Sequence, residues 1–192
     1  MCVRKTILVT GASSGIGRAC SSLLLTQGYA VIGVARDFAK FPCNDPQFTA
    51  RTIDLSDLDG LPAQLEHLLT AHPVIDGAIC CAGRGRFGSL EEFSYAQIRD
   101  LLELNLTSQV YLARALLPAM KQRGAGDIIF IGSEAALSGG KRGAVYSAAK
   151  FGLRGLAQSL RQECAASGVR ASIINPGMVS TCLLYTSDAA DE

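Results

Sequence analysis

The sequence predicts a doubly wound α/β domain, in which helices cover both faces of one parallel sheet. Two observations lead to this prediction. Short apolar runs rich in β-branched residues alternate along the chain with longer runs of helical composition, and strands that are apolar throughout are typical of a parallel sheet buried on both faces. In addition, no repeat, linker or low-complexity block divides the chain. We therefore expect one domain over residues 1–181, with its strands in the order 3-2-1-4-5-6.

The predicted elements follow one another in regular alternation. Strands are expected at 6–9, 30–35, 49–53, 75–80, 127–132 and 169–174, and helices at about 15–27, 57–71, 95–123 and 144–166. Residues 38–47 carry two prolines, an asparagine and an aspartate, and this composition predicts a surface connection between the second and third strands.

Composition and charge exclude several classes of protein. The chain has 192 residues, of which 48% are hydrophobic, and a net charge of +1. These values favour a globular domain and give no electrostatic reason to expect a nucleic acid or an anionic membrane as partner. The seven cysteines show no CxxC spacing, which favours free thiols in a reducing compartment. No apolar run reaches the roughly 18 residues of a membrane span, and we expect a soluble cytoplasmic protein without a metal site.

A glycine-rich turn joins the first predicted strand to the first predicted helix. It reads Gly11-Ala-Ser-Ser-Gly15-Ile-Gly17. Glycines in such a turn allow the backbone to approach a pyrophosphate closely, and the N-terminus of the helix offers N–H groups to the anion. A glycine-rich turn alone is weak support for a nucleotide site, but its place between a strand and a helix strengthens it. The expected cofactor contacts in the turn are Gly11, Ser13, Ser14, Gly15, Ile16 and Gly17.

The ends of the second and third strands bear on the choice of cofactor. Where a dinucleotide fold selects NAD, an acidic residue typically stands after the second strand, but this chain has Ala35 and Arg36. Because a guanidinium can bind a 2′-phosphate in bidentate fashion, we predict NADP(H) in preference to NAD(H). The alternative is that Arg36 is a solvated surface residue. Asp54 either caps the turn after the third strand or bonds the adenine amino group, and Leu55 is expected beside the cofactor.

Tyr146 and Lys150 stand four residues apart in a predicted helix, so both side chains lie on one helix face. A cation close to a phenol favours the phenolate and lowers its pKa from about 10. Ser133, at the end of an apolar run, offers a hydroxyl to a substrate oxygen. The alternative is that the tyrosine and lysine share a helix face by chance, and the rest of the chain decides between the two.

Several motifs together resemble the short-chain dehydrogenase/reductase family in its classical form. They are the glycine turn at Gly11–Gly17, Ala82-Gly83 after the fourth strand, Asn105 in LNLTS, Ser133 with Tyr146-Ser-Ala-Ala-Lys150, and Asn175-Pro-Gly177-Met-Val-Ser-Thr181. The resemblance extends over about residues 5–181. It implies a Rossmann fold and a catalytic tetrad of Asn105, Ser133, Tyr146 and Lys150.

The resemblance also implies a role for each residue of the tetrad. Tyr146 exchanges a proton with the substrate oxygen as hydride passes to or from the nicotinamide, and Ser133 orients that oxygen. Lys150 lowers the pKa of Tyr146 and bonds the nicotinamide ribose, while Asn105 holds a water that leads protons to solvent. Asn105 stands in an otherwise apolar helix, where its amide is either functional or satisfied by helix neighbours. Further cofactor contacts are expected at Ala82, Gly83, Pro176, Gly177, Val179 and Thr181.

The implied function is the NADP-dependent interconversion of a ketone and a secondary alcohol, with 3-oxoacyl thioesters, 3-hydroxy acids and other small carbonyl compounds as candidate substrates. The alternative is a sensor or scaffold that binds NADP without catalysis, although such a protein has no need of Ser133 and Tyr146 together. The family also implies a homodimer through the helices at 95–123 and 144–166, or a homotetramer. Small residues on these helices, such as Ala148, Gly152 and Gly155, either serve that contact or pack on the chain's own sheet.

Two segments depart from the family pattern. Cys80-Cys81 precedes Ala82-Gly83 where an asparagine pair is common, and because a thiol cannot replace the amide bonds, we expect a less rigid loop here. Neither thiol is expected to be a nucleophile. The family's final helix and seventh strand have no counterpart after Thr181, and residues 182–192 resemble one reading frame of a sequencing adapter. We expect this segment to be a read-through tail, with a short acidic tail as the alternative.

Overall fold

A six-stranded parallel sheet forms the centre of the fold in a computed structural model that describes residues 4–39 and 41–179. The order β3-β2-β1-β4-β5-β6 confirms the predicted fold class. The predicted contact at Thr181 and the proposed tail at 182–192 lie outside the described residues. The strands are β1 Thr6–Thr10, β2 Ala30–Ala35, β3 Phe48–Thr52, β4 Gly77–Cys80, β5 Gly126–Ile131 and β6 Val169–Ile174. The α-helices are α1 Gly15–Thr26, α2 Leu61–Ala71, α3 Tyr95–Leu102, α4 Ser108–Arg123 and α5 Ala144–Glu163.

Helices lie on both faces of the sheet. On one face, α2, α4 and α5 bury leucines such as Leu65 and Leu116 against Leu8 and Phe130 of the strands. On the other face, α1 packs Leu24 against the strand residues of a smaller cluster that includes Val9 and Val31. Because alternate strand residues face the two sides, the sheet supplies apolar contacts to both helix layers. This arrangement brings the carboxyl ends of all six strands to one edge, where ligands bind in folds of this type.

The predicted helix at 95–123 is interrupted. Between α3 and α4, a π-helical turn spans Glu103–Thr107 with Asn105 at its centre. The Asn105 amide donates to the carbonyl of Leu101, four residues earlier, and to the carbonyl of Arg84 in a separate loop. The prediction of one continuous helix was therefore wrong here, and such π turns are frequent at functional sites.

Two further boundaries differ from the predicted ones, and an aspartate stands at each of them. The second helix begins at Leu61 instead of residue 57, since the Asp57 carboxylate accepts the N–H of Gly60 in a turn. The fourth strand begins at Gly77 instead of residue 75. Just before it, the Asp76 carboxylate accepts the N–H of Thr6 at 2.7 Å, and the Asp76 N–H donates to the Thr6 carbonyl at 2.8 Å. The remaining boundaries lie close to the predicted ones.

Candidate active site

A cleft of about 340 Å³ lies at the carboxyl ends of the strands and joins the glycine turn to the predicted catalytic residues. All four residues of the predicted tetrad line this cleft. The sequence thus identified two groups, far apart in the chain, that the fold brings to one place. The predicted cofactor contacts that also line it are Gly11, Ser14, Gly15, Ile16, Gly17, Ala82, Gly83, Pro176, Gly177 and Val179.

Four predicted cofactor contacts do not line the cleft, namely Ser13, Arg36, Asp54 and Leu55. Leu55 is buried in the hydrophobic core, and its contact with the cofactor stays a prediction. Asp54 caps a turn, because its Oδ1 accepts from the backbone N–H of Ser56 at 3.0 Å and from its hydroxyl at 2.6 Å. The first of the two roles considered for Asp54 is therefore the one that the described contacts show. Arg36 follows β2 and is exposed to solvent.

Sequence reasoning missed several residues of the cleft. Two of them, Arg84 and Phe87, come directly after the Ala82-Gly83 motif, and this proximity was the available signal. Met178 lies within the motif from Asn175 to Thr181, and the others stand close to identified residues in the chain. The missed residues are Cys81, Arg84, Phe87, Ile131, Gly132, Glu134, Ala135 and Met178.

The glycine turn fits a dinucleotide because its backbone leaves no room for side chains. Gly11 has a φ of +65°, and a Cβ there would lie 3.2 Å from the backbone of Ala82. A Cβ at Gly17 would overlap the Gly11 carbonyl oxygen, and one at Gly83 would lie 2.6 Å from Asn105 Oδ1. The first turn of α1 therefore packs directly on the strand ends and presents its N-terminal backbone to the cleft. These are the features with which such folds hold a pyrophosphate.

Tyr146 and Lys150 lie in the first part of α5 and are both buried. Lys150 Nζ lies 5.7 Å from the centre of the Tyr146 ring and donates to the carbonyl oxygen of Ile131 at 2.9 Å. Ser133 ends the segment after β5, where its Oγ accepts the N–H of Ala135 and begins a short 3-10 turn. The three side chains thus converge from two adjacent elements on the same end of the cleft.

The pKa values in this cluster follow burial. Burial raises the pKa of the Tyr146 phenol above 10, and a hydrogen bond with Ser133 opposes this effect. Burial also lowers the pKa of Lys150 to about 8, from an ordinary value of 10.5. The expected lowering of the Tyr146 pKa by Lys150 is therefore not what the structure shows. The physical reason is that the phenol is largely removed from water while the ammonium is directed to the Ile131 carbonyl.

Asn105 fixes the loop that follows β4. Its Nδ2 donates to the Arg84 carbonyl at 2.9 Å, and its Oδ1 accepts the Arg84 N–H at 3.0 Å. A further bond to the Leu101 carbonyl satisfies the buried amide within its own helix. The Asn105 amide therefore bonds both its own helix, at Leu101, and the loop after β4, at Arg84. Its role in holding a water stays a prediction.

The loop is not loosened by the cysteine at position 81. Thr10 Oγ1 accepts the N–H of Ala82 at 3.0 Å, and Gln109 Nε2 donates to the Ala82 carbonyl at 3.2 Å. Together with Asn105, these side chains hold the segment from both sides, so the expected loss of rigidity is offset. Burial raises the pKa of Cys80 to about 12, and a hydrogen bond with Cys20, together with burial, raises that of Cys81. Both directions agree with the prediction that neither thiol is a nucleophile.

Comparison with known proteins confirms the resemblance. The family model for the short chain dehydrogenases matches residues 5–191. The 3-oxoacyl-[acyl-carrier-protein] reductase FabG of Salmonella typhimurium is 33% identical over 184 residues, which cover 92% of this chain and 74% of the relative. A short-chain dehydrogenase from Streptomyces avermitilis has a TM-score of 0.88 and 33% identity, over 94% of this chain and 68% of that one. A metagenomic short-chain oxidoreductase in complex with NADP has a TM-score of 0.84 and 35% identity, over 91% and 83% of the two chains.

The chain therefore belongs to the short chain dehydrogenase family. It is an oxidoreductase of a family that uses NAD or NADP and acts on small molecules. Within the described part of the chain, no helix is both long enough and apolar enough to cross a membrane.

Proposed function

We propose that the protein interconverts a ketone and a secondary alcohol with NADP(H), using Tyr146 as the proton donor and acceptor. The observation that carries this proposal is the convergence of Tyr146, Ser133 and Lys150 in the cleft that the glycine turn also lines. When bound, the nicotinamide supplies the hydride for reduction or accepts it for oxidation. Each ketone reduced consumes one hydride and one proton.

The protein's own side chains handle the proton. Because burial keeps the Tyr146 phenol protonated at neutral pH, it can donate its proton to the carbonyl oxygen of a ketone. The Ser133 hydroxyl bonds that oxygen and orients it toward the phenol. The Lys150 ammonium, with a pKa of about 8, remains charged below that pH and stabilises the phenolate that the transfer leaves. Asn105 holds the water through which Tyr146 regains its proton.

Apolar side chains form the substrate end of the cleft. The Phe87 ring packs on Tyr146 with 5.3 Å between ring centres, and Met178 is 88% exposed at the edge. These contacts favour a carbonyl group on an apolar or thioester-linked chain over a sugar. The 3-oxoacyl reductase among the relatives supports the same class. A panel of 3-oxoacyl thioesters, 3-hydroxy acids and simple ketones, followed by NADPH absorbance, tests this assignment beside Tyr146→Phe.

The cofactor preference rests on Arg36, which stands directly after β2 where an acid is typical of folds that select NAD. The metagenomic relative solved with NADP supports it. Binding constants for NADPH and NADH, measured by calorimetry, check the preference. Tighter binding of NADH would contradict it. If NADPH binds but no carbonyl or alcohol on the panel is turned over, the chain is a binding protein and the proposed catalysis fails.

We also propose a homodimer through the outer faces of α4 and α5. Phe151 is 43% exposed on α5 and Val110 is 36% exposed on α4, so each helix presents a large apolar side chain to solvent. Gly155 has open space above it, whereas Gly152 packs on Leu106 of its own chain, so only the former is free for a partner. Sedimentation of the chain and of Phe151→Glu tests the contact, and an unchanged dimer in the variant would contradict it.

The free thiols support a reducing compartment, and we propose a cytoplasmic location. The cysteines among the described residues are Cys20, Cys43, Cys80, Cys81 and Cys164, and none of them forms a disulfide. Fractionation of cells that express the protein tests this location.

A further inference from the structure

Cys20 of α1 and Cys81, directly after β4, lie against each other beside the glycine turn. β1 and β4 are paired so that Thr10 stands opposite Cys80, and the next residues, Gly11 and Cys81, leave the sheet side by side. A Cβ at Gly11 would lie 3.3 Å from the Cys81 carbonyl carbon. The thiols of Cys20 and Cys81 are hydrogen-bonded to each other. The fold thus brings two thiols from distant parts of the chain into contact.

The packing of α1 turns Cys20 toward the sheet. Gly17, one turn before Cys20, packs on the carbonyl of Gly11, and Gly11 in turn packs on the backbone of Cys81. Leu24, one turn after Cys20, packs on the same apolar cluster as Cys81. Because residues three or four apart share a helix face, Cys20 lies between two contacts that both lead to the surroundings of Cys81. The backbone packing therefore supports the same neighbourhood as the bond between the thiols.

The two thiols differ in reactivity. Cys20 and Cys81 are both half-buried, so each retains some contact with solvent. The hydrogen bond with Cys81 lowers the pKa of Cys20 to about 7, against the effect of burial, whereas the same bond and burial raise the pKa of Cys81. A large part of Cys20 is therefore thiolate at neutral pH, which is the form that reacts with oxidants. The adjacent Cys80 is buried in the core on the other face of the sheet.

We propose that hydrogen peroxide converts Cys20 and Cys81 to a disulfide, and that this modification weakens binding of the nicotinamide cofactor. In the first step the Cys20 thiolate attacks one oxygen of the peroxide and the O–O bond breaks. That oxygen stays on sulfur as a sulfenic acid, and the other leaves as hydroxide, which takes up the proton that Cys20 released on ionising.

In the second step the Cys81 sulfur displaces the oxygen from the Cys20 sulfur. The S–S bond forms, and the Cys81 proton leaves with that oxygen as a second water. The two thiols together lose two electrons, and the peroxide gains them. A dithiol reductant returns two electrons and two protons, so the modification is reversible and is transient in a reducing compartment.

The crosslink acts on the cofactor cleft from both of its ends. Cys81 lines the cleft and directly precedes Ala82, while the first turn of α1 lines it from the other side. The sulfur atoms of a disulfide lie about 2.05 Å apart, which is closer than two hydrogen-bonded thiols. A Cβ at Gly11 would already lie 3.2 Å from the backbone of Ala82. The movement of α1 or of the loop after β4 that closes the bond therefore changes the shape of the cleft.

The test maps the bond by mass spectrometry. The reduced protein is treated with hydrogen peroxide, its remaining thiols are blocked with N-ethylmaleimide, and its tryptic peptides are compared before and after reduction. We expect the peptide that contains Cys20 to be linked to the peptide that contains Cys81 within one chain. The dissociation constant for NADPH, measured by calorimetry, is expected to rise about tenfold in the oxidised protein, a typical size for coupling between two sites. Dithiothreitol is expected to reverse both changes.

Three variants assign the bond to its two sulfur atoms. Cys43→Ser removes a half-buried thiol between β2 and β3, and as the matched control it is expected to form the link like the unaltered protein. Cys80 and Cys81 fall in the same tryptic peptide, so Cys80→Ala is needed to distinguish them and is expected to keep the link. Cys20→Ser is expected to form no link and to keep its own NADPH affinity through the peroxide treatment.

Several results would overturn the proposal. A link that is lost in Cys80→Ala would assign the bond to the wrong cysteine, and a link between two chains would show that the pair does not react within the fold. Oxidation of Cys20 to a sulfinic acid without any link would show that Cys81 does not capture the intermediate. A link that forms equally fast in urea would show that the fold does not bring the two thiols together.

The outcomes separate this inference from the proposed function, because the peptide map requires neither cofactor nor substrate. If the reduced protein binds NADH and not NADPH, the preference for NADP is wrong and the same comparison is made with NADH. If the bond forms and the cofactor binds equally to the oxidised and reduced proteins, the proposed function stands and the control of cofactor binding by this thiol pair is refuted.

Discussion

Lys150 Nζ lies 5.7 Å from the centre of the Tyr146 ring, and it donates to the backbone of Ile131 at 2.9 Å. A buried ammonium and a buried phenol thus share one end of the cleft. Burial raises the pKa of Tyr146 and lowers the pKa of Lys150, and both shifts favour the neutral form of the group. Keeping either group charged in this place therefore costs stability. This relationship leads to the first prediction.

We predict that Lys150→Met removes a pH-dependent penalty on stability. The Lys150 pKa is about 8 in the folded protein against 10.5 ordinarily, so the unfolded chain binds more protons between these values and stability rises with pH across them. The difference corresponds to about 3 kcal/mol. The free energy of unfolding of the unaltered protein, minus that of Lys150→Met, is expected to rise by that order from pH 7.5 to 10.5. Urea titrations at several pH values measure it, and a flat difference would contradict the buried charge.

Asn105→Ala is expected to destabilise the protein by about 2 to 3 kcal/mol. The substitution leaves the Arg84 N–H and carbonyl without their side-chain partner, and unsatisfied buried groups are costly. Gln122→Ala, on the exposed end of α4, is the control and is expected to change stability by less than about 0.5 kcal/mol. Equal unfolding midpoints for the two variants would show that the Asn105 bonds contribute little.

Gly17→Ala is expected to disrupt the cofactor turn. The added Cβ would overlap the Gly11 carbonyl oxygen, which requires α1 to move away from the strand ends and costs about 1 to 3 kcal/mol. Binding of NADPH should weaken together with the unfolding temperature. Gly139→Ala meets no atom within 4 Å and serves as the control. Normal NADPH binding by Gly17→Ala would contradict the close packing of the turn.

Arg142→Gly is expected to stabilise the protein by about 0.5 to 1 kcal/mol. Arg142 has a φ of +61°, a conformation that glycine adopts without the clash of a Cβ. The exposed pair with Glu92 at 3.9 Å that the substitution removes contributes little. Thermal unfolding beside Lys141→Gly, whose φ is not positive, checks the assignment. A lower unfolding temperature for Arg142→Gly would show that the residue is not strained.

The sequence predicted the sheet order and most of the site, because strand patterns and motifs are local signals that the fold brings together. The Tyr146 and Lys150 pair is an example, since spacing alone placed both on one helix face. The break at Glu103–Thr107 could not be predicted, because it depends on a bond from Asn105 to a loop 21 residues away in the chain. The rise in the Tyr146 pKa could not be predicted from the sequence either. It results from burial of the phenol, and the sequence pattern does not show which elements cover this side chain. Arg84 was missed although it directly follows the Ala82-Gly83 motif, because the bonds that hold it beside the cleft come from Asn105, 21 residues further along the chain.

The turnover of Tyr146→Phe tests the central claim most directly. The substitution removes one hydroxyl from a buried ring, and NADPH binding, measured by fluorescence, should stay within about threefold. Turnover of the best carbonyl substrate is expected to fall by about 100- to 10,000-fold, the contribution of a positioned proton donor. If Tyr146→Phe binds NADPH and still reduces the substrate at a comparable rate, Tyr146 is not the proton donor and the proposed mechanism is wrong.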